Sequence, residues 1–457
     1  MTTRGTQLQT GRRPAELIEA DLSERLPAMT DQEAYAEASR CLYCFDAPCM
    51  VACPTSIDIP GFIKLIGTDD RLGSAQRILG QNVMGASCAR VCAVEELCEE
   101  ACVLAPHEGP IKIGRLQRYG TDEVYGDPKG FARAGIYPGV ATGKSVAVVG
   151  GGPAGLAAAA QLRIEGHAVT IFERQPELGG LAMYGIIPLR EPSDVALWEA
   201  SQVVALGATA RTGVEVGVDV AADELVKDFD AIFLANGSGA RVSDIGLEGD
   251  DLPGVEDALE FIERIRVEKP SQVPVGEHVV IVGAGNTAMD AATIAARLGA
   301  VSVTCVYRRT VREMTGYPNE YEHCLKDGVR FAWLMQPVRA IAGPDGHVAQ
   351  LECRVVALGE PGEDGRPAPF VTDDLVVVPC DHVLLATGQR RETDLYQQLG
   401  LNVMWDRPVA PGPYRTTDPM VFAGGDAVLS GKELSVVDAV AQGREAARAI
   451  DAYLMED

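Results

Sequence analysis

The chain has 457 residues, of which 65 are Asp or Glu and 40 are Lys or Arg, so its net charge is −25. Nucleic acid and anionic membrane surfaces repel such an acidic protein, and we expect neither as a partner. No stretch of about 18 consecutive apolar residues could cross a membrane, and the N-terminus lacks the apolar core of a secretory signal. The sequence therefore predicts a cytoplasmic protein.

Eight of the twelve cysteines lie within residues 41–102, in a stretch whose pattern is helical and polar. Their spacing is C-x2-C-x4-C-x3-C-P and then C-x3-C-x5-C-x3-C, which lacks the two C-x2-C pairs of a zinc ribbon. Reduced cytoplasmic thiols also disfavour disulfides. In the similar bacterial ferredoxin run the fourth cysteine ligates another cluster, so Cys53 is expected to serve a different cluster from the three cysteines before it. We predict iron–sulfur clusters, with zinc and disulfides as the alternatives.

From Lys144 onward a strand, a glycine turn, an alanine-rich helix and a second strand follow one another. The turn fits G-x-G-x-x-G, in which the glycines allow a tight turn, close approach of a pyrophosphate and packing of the helix on the strand. The pyrophosphate sits at the helix N-terminus, which favours an anion. An acid that ends the second strand can accept hydrogen bonds from a ribose. The residues assigned to this site are Gly150, Gly152, Pro153, Ala154, Gly155 and Glu173.

A second glycine loop follows the apolar strand in "DPMVFAGGDAV" near the C-terminus. Gly425 and Asp426 in this loop suit the phosphate side of an FAD domain that is interrupted by an insertion. An ordinary β-turn is the alternative interpretation of the same residues.

The sequence "VVIVGAGNTAMD" repeats the first pattern as G-x-G-x-x-A, with Gly283, Gly285 and Ala288. The following strand ends without an acid, and arginines stand there instead: Arg308, Arg309 and, close behind, Arg312. Because arginines bind a 2′-phosphate that an acid would repel, we predict NADP(H) over NAD(H). A solvated basic strand end, or arginine stacking on adenine, is the alternative.

The apolar strand "LLATGQR" carries three candidate cofactor-binding residues at its tip: Ala386, Thr387 and Gly388. This strand is expected to return the chain from the second domain to the first. The remaining cysteines are isolated, so we expect small buried apolar side chains and no local disulfide that takes electrons from a flavin. These four cysteines are Cys305, Cys324, Cys353 and Cys380.

Together these patterns predict an α/β fold with two Rossmann-like dinucleotide-binding domains, the NADP domain inserted in the FAD domain, preceded by a small all-α iron–sulfur domain. The expected bounds are 1–135 for the helical domain, 136–272 and 379–457 for the two parts of the FAD domain, and 273–378 for the NAD(P)H domain.

Three segments carry a resemblance to a known family: "CLYCFDAPCMVACPTSIDIPGFI", "GASCARVCAVEELCEEAC" and "GPIKIGRLQRY". Followed by the two dinucleotide units, they resemble the flavin and iron–sulfur electron-input subunit of bacterial NAD(P)-dependent dihydropyrimidine dehydrogenase. Glutamate synthase small subunits are similar more distantly. The resemblance covers nearly the whole chain. It implies an oxidoreductase that passes electrons from NADPH through FAD and two [4Fe–4S] clusters.

The resemblance also implies particular ligands and contacts. One cluster would be held by Cys41, Cys44, Cys49 and Cys102, and the other by Cys53, Cys92, Cys98 and Gln117, which leaves Cys88 unassigned. Without the resemblance, Gln117 reads as an ordinary amide on a helix surface. FAD contacts are implied within the family's "GGL…R" pattern, and NADP contacts follow the second glycine turn. These residues are Gly180, Leu181 and Arg190 for FAD, and Asn286 and Thr287 for NADP.

The complete pyrimidine enzyme adds an FMN barrel that this sequence lacks, so we expect an FMN-containing catalytic partner subunit that reduces uracil or thymine. The alternatives are a glutamate synthase large subunit as partner, free ferredoxin as acceptor, and a zinc-stabilised, nucleotide-sensing binding module. No acid–base catalytic residue is expected, because the cofactors carry the chemistry while the protein binds and orients them.

Overall fold

The computed structural model describes residues 13–238, 240–241, 245–362, 365–390, 393–428 and 434–456, without the side chains of residues 240, 241 and 390. The expectation about a secretory signal rests mainly on residues 1–12, which lie outside this range. The described chain divides into two compact units. The larger unit comprises residues 26–183, 190–239 and 391–457, and the smaller unit comprises residues up to 25, 184–189 and 240–390.

The N-terminal part of the described chain is helical, and strands begin at Ser145. The α-helices are α1 (Ala15–Asp21), α2 (Asp31–Ala38), α3 (Pro48–Val51), α4 (Ile59–Gly67), α5 (Arg71–Leu79), α6 (Gly85–Val91), α7 (Ile113–Thr121), α8 (Gly130–Arg133), α9 (Pro153–Glu165), α10 (Leu181–Tyr184), α11 (Ser193–Ala205), α12 (Ala222–Asp228), α13 (Ala258–Val267), α14 (Asn286–Leu298), α15 (Pro318–Lys326), α16 (Asp394–Gln398) and α17 (Val436–Met455). The strands are β1 (Ser145–Val149), β2 (Ala168–Glu173), β3 (Thr209–Thr212), β4 (Ala231–Leu234), β5 (Ala240–Arg241), β6 (Val255–Asp257), β7 (His278–Val282), β8 (Ser302–Tyr307), β9 (Arg330–Trp333), β10 (Met335–Ala342), β11 (Val348–Pro361), β12 (Pro367–Pro379), β13 (His382–Leu385), β14 (Gln389–Arg390), β15 (Val403–Met404), β16 (Arg407–Pro408) and β17 (Val421–Ala423).

The larger unit is built on a five-stranded parallel sheet with the strand order β17-β4-β1-β2-β3. In β1, Val146 pairs with Val169 of β2 on one side and with Ala231 of β4 on the other. Strands β4 and β17 are buried along their whole length, which explains their uninterrupted apolar sequences. Because β17 comes from the C-terminal part of the chain, the sheet is completed only after the chain has passed through the smaller unit.

The cysteine module, residues 26–135, also belongs to the larger unit. Its helices α2, α4, α5 and α7 pack around an apolar core that includes Ile57, Phe62 and Leu116. Several of the cysteines pack against this same core, among them Cys41, Cys49 and Cys53. The cysteine module therefore has its own apolar core, on which the cysteine-bearing segments are fixed.

The smaller unit contains a second parallel sheet with the order β6-β13-β7-β8-β9 and an antiparallel sheet with the order β10-β11-β12. Strands β5 and β14 pair antiparallel where the chain enters and leaves the unit. The unit extends beyond the expected range of 273–378. Strand β13 pairs with β7 on one side and with β6 on the other, and both β6 and β13 lie outside that range.

Helix α1 belongs to the smaller unit, although the sequence pattern placed residues 1–135 in the helical domain. Ile18 and Leu22, four residues apart on one face, are buried with Phe261, Val279 and Leu298. The backbone amide of Arg25 donates to the carbonyl oxygen of Leu189 at 2.8 Å, also within this unit. An amphipathic pattern shows that a helix has an apolar face but does not show which core receives it.

In the part of the chain that the structure describes, no helix has both the length and the apolar composition that crossing a membrane requires.

Candidate cofactor sites

The first glycine turn lies at the carboxyl end of β1 and leads into α9. Gly150 has φ +104°, and a Cβ atom there would lie 2.3 Å from the carbonyl oxygen of Ala235. A Cβ atom on Gly155 would lie 1.9 Å from the carbonyl oxygen of Gly150, so helix and turn touch through main-chain atoms. Gly152 is the N-cap of α9 and provides no side-chain cap, which leaves first-turn N–H groups for an anion.

Glu173 is buried at the end of β2, beside the glycine turn. One carboxylate oxygen accepts the backbone N–H of Gly151 at 2.7 Å, and the other accepts that of Gln175 at 2.9 Å. These two bonds fix the carboxylate at the edge of the sheet where the turn lies. The site therefore combines uncapped amides and a held acid, which fits the pyrophosphate and ribose of a dinucleotide.

Of the other residues expected to contact FAD, some lie beside the first glycine turn and one contacts the cysteine module. Gly180 has φ +53°, and a Cβ atom there would lie 2.6 Å from Cα of Gly152, so this glycine lies directly against the turn. Leu181 begins α10 and is partly exposed. Arg190 instead donates from Nη2 to the carbonyl oxygen of Val91 at 3.1 Å, at the end of α6 in the cysteine module.

The C-terminal glycine loop lies against the first turn of α9. Gly425 has φ +66°, and a Cβ atom there would lie 2.7 Å from Cβ of Ala154. The backbone N–H of Gly425 donates to Oε1 of Gln442 at 2.9 Å. Asp426 follows within a 3-10 turn over Gly425–Ala427. The structure thus brings this loop to the first dinucleotide turn. Gln442 was missed, because a glutamine within a helix gives no sequence signal for such a role.

The second glycine turn repeats the arrangement in the smaller unit. Gly283 has φ +138°, and a Cβ atom there would lie 2.4 Å from the carbonyl oxygen of Ala386. Gly285 is the N-cap of α14 and again provides no side-chain cap, while Ala288 is buried in the helix. Oδ1 of Asn286 accepts the backbone N–H of Tyr317 at 2.9 Å.

The predicted cofactor-binding residues after the second glycine turn and after β13 differ in solvent exposure. Thr287 is partly buried in the first turn of α14, whereas Thr387 and Gly388 are exposed just after β13. Since β13 is parallel to β7, their carboxyl ends lie at the same edge of the sheet. The residues predicted from the "LLATGQR" strand are therefore at the same edge as the second glycine turn.

The three arginines after β8 differ in their surroundings. Arg308 and Arg312 are exposed. Arg309 is buried, and its Nε donates to the carbonyl oxygen of Pro367, the first residue of β12, at 3.1 Å. Two exposed guanidinium groups thus lie near the carboxyl end of β8, where a 2′-phosphate would be expected.

The first group of cysteines is brought together from both halves of the module. Cys41 and Cys44 precede α3, Cys49 lies within it, and Cys102 follows much later in the chain. Burial raises the pKa of Cys41, and the neighbouring Cys44 and Cys102 thiols add to this shift. Burial, with Cys41 as the next cause and a smaller contribution from Cys102, raises the pKa of Cys49 to about 11.

The second group surrounds Cys92 at the end of α6. A hydrogen bond with the Cys88 side chain and burial raise the pKa of Cys92, with further contributions from Cys98 and Cys53. Burial raises the pKa of Cys98, and Glu99, Cys53 and Cys49 contribute. Cys53 therefore neighbours the distant Cys92 and Cys98, and Cys88 is next to Cys92.

Gln117 is buried in α7, and its Nε2 donates to the carbonyl oxygen of Gly85 at 2.8 Å. This bond holds the amide, whose oxygen is the atom a metal would use. Clustered thiols are the donor set that iron–sulfur clusters require, so the residues fit such groups. Within the described residues, no three His, Cys, Asp or Glu side chains are arranged to hold a single metal ion.

A buried polar contact that the sequence did not indicate connects α6 to α11. The Ser87 hydroxyl contacts the carboxylates of both Glu191, at 2.5 Å, and Glu199. The other oxygen of Glu199 accepts the backbone N–H of Ala86 at 2.8 Å. Burial, together with the nearby Glu191 carboxylate, raises the pKa of Glu199 to about 8. The cysteine module and the sheet-bearing part of the larger unit are thus joined by buried polar groups.

Two family models match the chain. Residues 19–127 match dihydropyrimidine dehydrogenase domain II, 4Fe–4S cluster, and residues 144–443 match pyridine nucleotide-disulphide oxidoreductase. The chain belongs to the pyridine nucleotide-disulphide oxidoreductase family. As a member of this family, it is an oxidoreductase with an added 4Fe–4S domain.

Proteins of similar sequence match most of the chain. The glutamate synthase [NADPH] small chain of Escherichia coli is 32% identical over 469 residues, covering 97% of this chain and 96% of its own length. The NAD-dependent dihydropyrimidine dehydrogenase subunit PreT of the same organism is 35% identical over 434 residues, covering 95% and 97%. The putative oxidoreductase AegA, also from E. coli, is 35% identical over 446 residues, covering 94% of this chain and 67% of the relative.

Solved structures support the fold. FprA from Mycobacterium tuberculosis in complex with NADPH has a TM-score of 0.56 and 19% identity, covering 68% of this chain and 84% of that one. Thioredoxin reductase from T. acidophilum has a TM-score of 0.51 and 18% identity, covering 68% and 100%. The α/β fold and the family resemblance predicted from the sequence are confirmed. The family models also support a 4Fe–4S cluster and a pyridine nucleotide as cofactors.

Proposed function

We propose that this oxidoreductase is the electron-input subunit of a larger enzyme. It takes electrons from NADPH and delivers them through FAD and two [4Fe–4S] clusters to a partner subunit that reduces uracil or thymine. The observation that carries the proposal is the larger unit itself, because one compact body contains both the first dinucleotide turn and the eight clustered cysteines. A flavin converts hydride transfer into single-electron steps, which iron–sulfur clusters can accept.

The chain's own residues have binding and orienting roles in this proposal. The uncapped N-terminus of α9 binds the pyrophosphate of FAD, and Glu173, held by Gly151 and Gln175, accepts hydrogen bonds from its ribose. The uncapped N-terminus of α14 binds the pyrophosphate of NADPH, with Arg308 and Arg312 near its 2′-phosphate. No residue is assigned as an acid or base.

Two clusters are proposed because the family resemblance divides the ligands into two sets, and the neighbouring thiols support this division. Cys49 neighbours Cys41 and Cys102, and Cys53 neighbours Cys92 and Cys98, while Cys98 also neighbours Cys49. Gln117 is proposed as the fourth ligand of the second group. Cys49→Ala and Cys53→Ala should therefore abolish different electron paramagnetic resonance signals of the reduced protein. Loss of the same signal in both variants would contradict the division.

A glutamate synthase small subunit is the second candidate. The E. coli small chain is matched along 96% of its length, at an identity close to that of PreT. The proposed partner then forms glutamate, and the proposed role of this chain in electron input is unchanged. The expected cytoplasmic location belongs to both proposals.

Anaerobic purification of the native complex tests these proposals. Iron, flavin and the partner subunit are identified in one preparation, and the preparation is then assayed with NADPH and uracil, or with NADPH, 2-oxoglutarate and glutamine. Uracil reduction is the expected result, and glutamate formation would select the second candidate. A colourless protein without iron or flavin would contradict both and favour a zinc-stabilised, nucleotide-sensing module.

A further inference from the structure

Thr55 follows Cys53 by two residues and has a side chain that the electron-transfer proposal does not use. It is fully buried, and its Oγ1 lies 3.3 Å from Sγ of Cys53. A buried hydroxyl beside a sulfur could either donate its proton to that sulfur or accept one from it. The surroundings of Thr55 decide between the two.

Asn82 determines the direction of this hydrogen bond. It is fully buried, and its Oδ1 accepts the backbone N–H of Met84 at 2.9 Å, which only the amide oxygen can do. Nδ2 of Asn82 therefore faces Thr55 and donates to Oγ1 at 3.4 Å. Since the hydroxyl oxygen already accepts from Asn82 and a metal-bound thiolate has no proton, the Thr55 proton must point to Cys53.

Arg444 of α17 holds the same segment from the other side. Its Nη1 donates to the carbonyl oxygen of Thr55 at 3.1 Å and to that of Gln81 at 2.5 Å. It thus binds the main chain at Thr55 and at the residue before Asn82. Thr55 and the segment that carries Asn82 are therefore both held by one helix of the larger unit.

We propose that the Thr55 hydroxyl, oriented by Asn82, donates a hydrogen bond to the Cys53 sulfur and raises the reduction potential of the iron–sulfur cluster that Cys53 ligates. A donor at a ligand sulfur stabilises the more negative, reduced form of a cluster. Thr55 is a positioning residue, since it acts through Cys53. The inference rests on the proposed function, which makes Cys53 a ligand, and deepens it by assigning a residue that sets the potential of one cluster.

The test is a potentiometric titration of the anaerobically purified holoprotein, followed by electron paramagnetic resonance. Thr55→Val removes the hydroxyl and preserves the side-chain shape. We expect the midpoint potential of the signal that Cys53→Ala abolishes to become more negative. The equilibrium constant for reduction should fall about three- to tenfold, the range of a single hydrogen bond, where tenfold is 59 mV for one electron. The signal that Cys49→Ala abolishes should keep its potential.

Thr55→Ser retains the hydroxyl and should keep the wild-type potential. Thr293→Val is the matched control, because Thr293 is also buried and its Oγ1 lies 3.5 Å from Sγ of Cys324, which is not a proposed cluster ligand. It should leave the potentials of both signals unchanged. If Thr55→Val does not retain its iron, Thr55→Ala serves in its place.

Three results would overturn the inference. The first is an unchanged potential in an iron-loaded variant without the hydroxyl, and the second is an equal shift in Thr55→Ser. The third is the absence of iron–sulfur signals from the wild-type protein, and this result refutes the proposed function itself. The first two leave the proposed function intact, so the two failures are distinguishable.

Discussion

At the scale of single residues, neighbours in the sequence can have different tasks because their side chains point in different directions. Arg308 is exposed after β8, whereas Arg309 is buried with its Nε on the carbonyl oxygen of Pro367. The buried arginine holds β12 beside the end of β8. Arg308 is therefore the better candidate for a direct contact with a nucleotide phosphate.

Arg308→Ala should raise the KM for NADPH about ten- to hundredfold, because a charge-assisted hydrogen bond contributes about 1.5–3 kcal/mol. The KM for NADH, which has no 2′-phosphate, should change little. Steady-state kinetics with both nucleotides measure the difference. Arg330→Ala is the control, since Arg330 is exposed at the amino end of β9, on the opposite edge of the parallel sheet. An equal loss with NADPH and NADH would contradict the assignment of Arg308.

At the scale of elements, the larger unit depends on how closely α17 approaches α9. A Cβ atom on Gly443, within α17, would lie 2.0 Å from the carbonyl oxygen of Ala154. Glycine costs about 0.5–1 kcal/mol in a helix interior, so its presence here is explained by the close contact. The same crossing holds the Gly425 loop against the first turn of α9.

Gly443→Ala should lower the free energy of unfolding by about 1–3 kcal/mol, because the added methyl group forces the two helices apart. It should also weaken flavin retention, since the Gly425 loop lies beside this contact. Urea denaturation and flavin absorbance measure the two effects. Gly412→Ala is a matched control, because its Cβ atom would meet nothing within 4 Å. Equal stability of the two variants would show that the crossing tolerates a side chain.

The contact between α6 and α11 should make stability depend on pH. Burial, with Glu191 nearby, raises the pKa of Glu199 to about 8, well above its value in an unfolded chain, about 4.3. Between these values the folded protein binds more protons than the unfolded protein, so the free energy of unfolding falls as pH rises. The stabilisation is complete below the lower value and is lost as pH passes the upper one.

The free energy of unfolding should fall by about 2 kcal/mol less between pH 6 and pH 8 in Glu199→Gln than in the wild-type protein, because an amide does not ionise. Anaerobic urea denaturation at the two pH values measures it. Glu224→Gln, at an exposed position on α12, should leave the pH dependence of the wild-type protein unchanged. A wild-type protein whose stability rises over this pH range would contradict the sign of the effect.

At the scale of the whole molecule, the two nucleotide turns and the cysteines are distributed unevenly between the units. The larger unit contains Gly150, Gly425 and all eight clustered cysteines, and the smaller unit contains Gly283. The proposed transfer from NADPH to FAD needs the two turns but none of the cysteines. Transfer onward to a partner needs the cysteines as well.

Cys53→Ala and Cys92→Ala should therefore retain most of the NADPH-dependent reduction of ferricyanide, which can accept electrons from a flavin. Both variants should lose electron transfer to the partner subunit. Spectrophotometric assays with and without the partner, on preparations with equal flavin content, measure the two activities. Loss of ferricyanide reduction in flavin-loaded variants would show that the route from NADPH to the dye passes through the cysteines.

The two dinucleotide turns follow from the amino-acid sequence alone, because the positive φ of Gly150 and Gly283 and the close contact of Gly155 with the main chain of Gly150 require glycine. The cysteine spacing also predicts that Cys53 ligates a different cluster from the three cysteines before it, as in the similar bacterial ferredoxin run. These predictions depend on the order and spacing of nearby residues, so a short stretch of sequence is enough to make them.

Which distant residues meet could be read only from the folded structure. It placed α1 with the smaller unit, Gln442 on the Gly425 loop, and the Ser87–Glu199 contact between α6 and α11. It also distinguished Arg308 from Arg309 and brought Asn82 to Thr55. Each of these contacts joins elements that are far apart in the chain, and side-chain direction and partner choice are set by packing rather than by the pattern of any one segment.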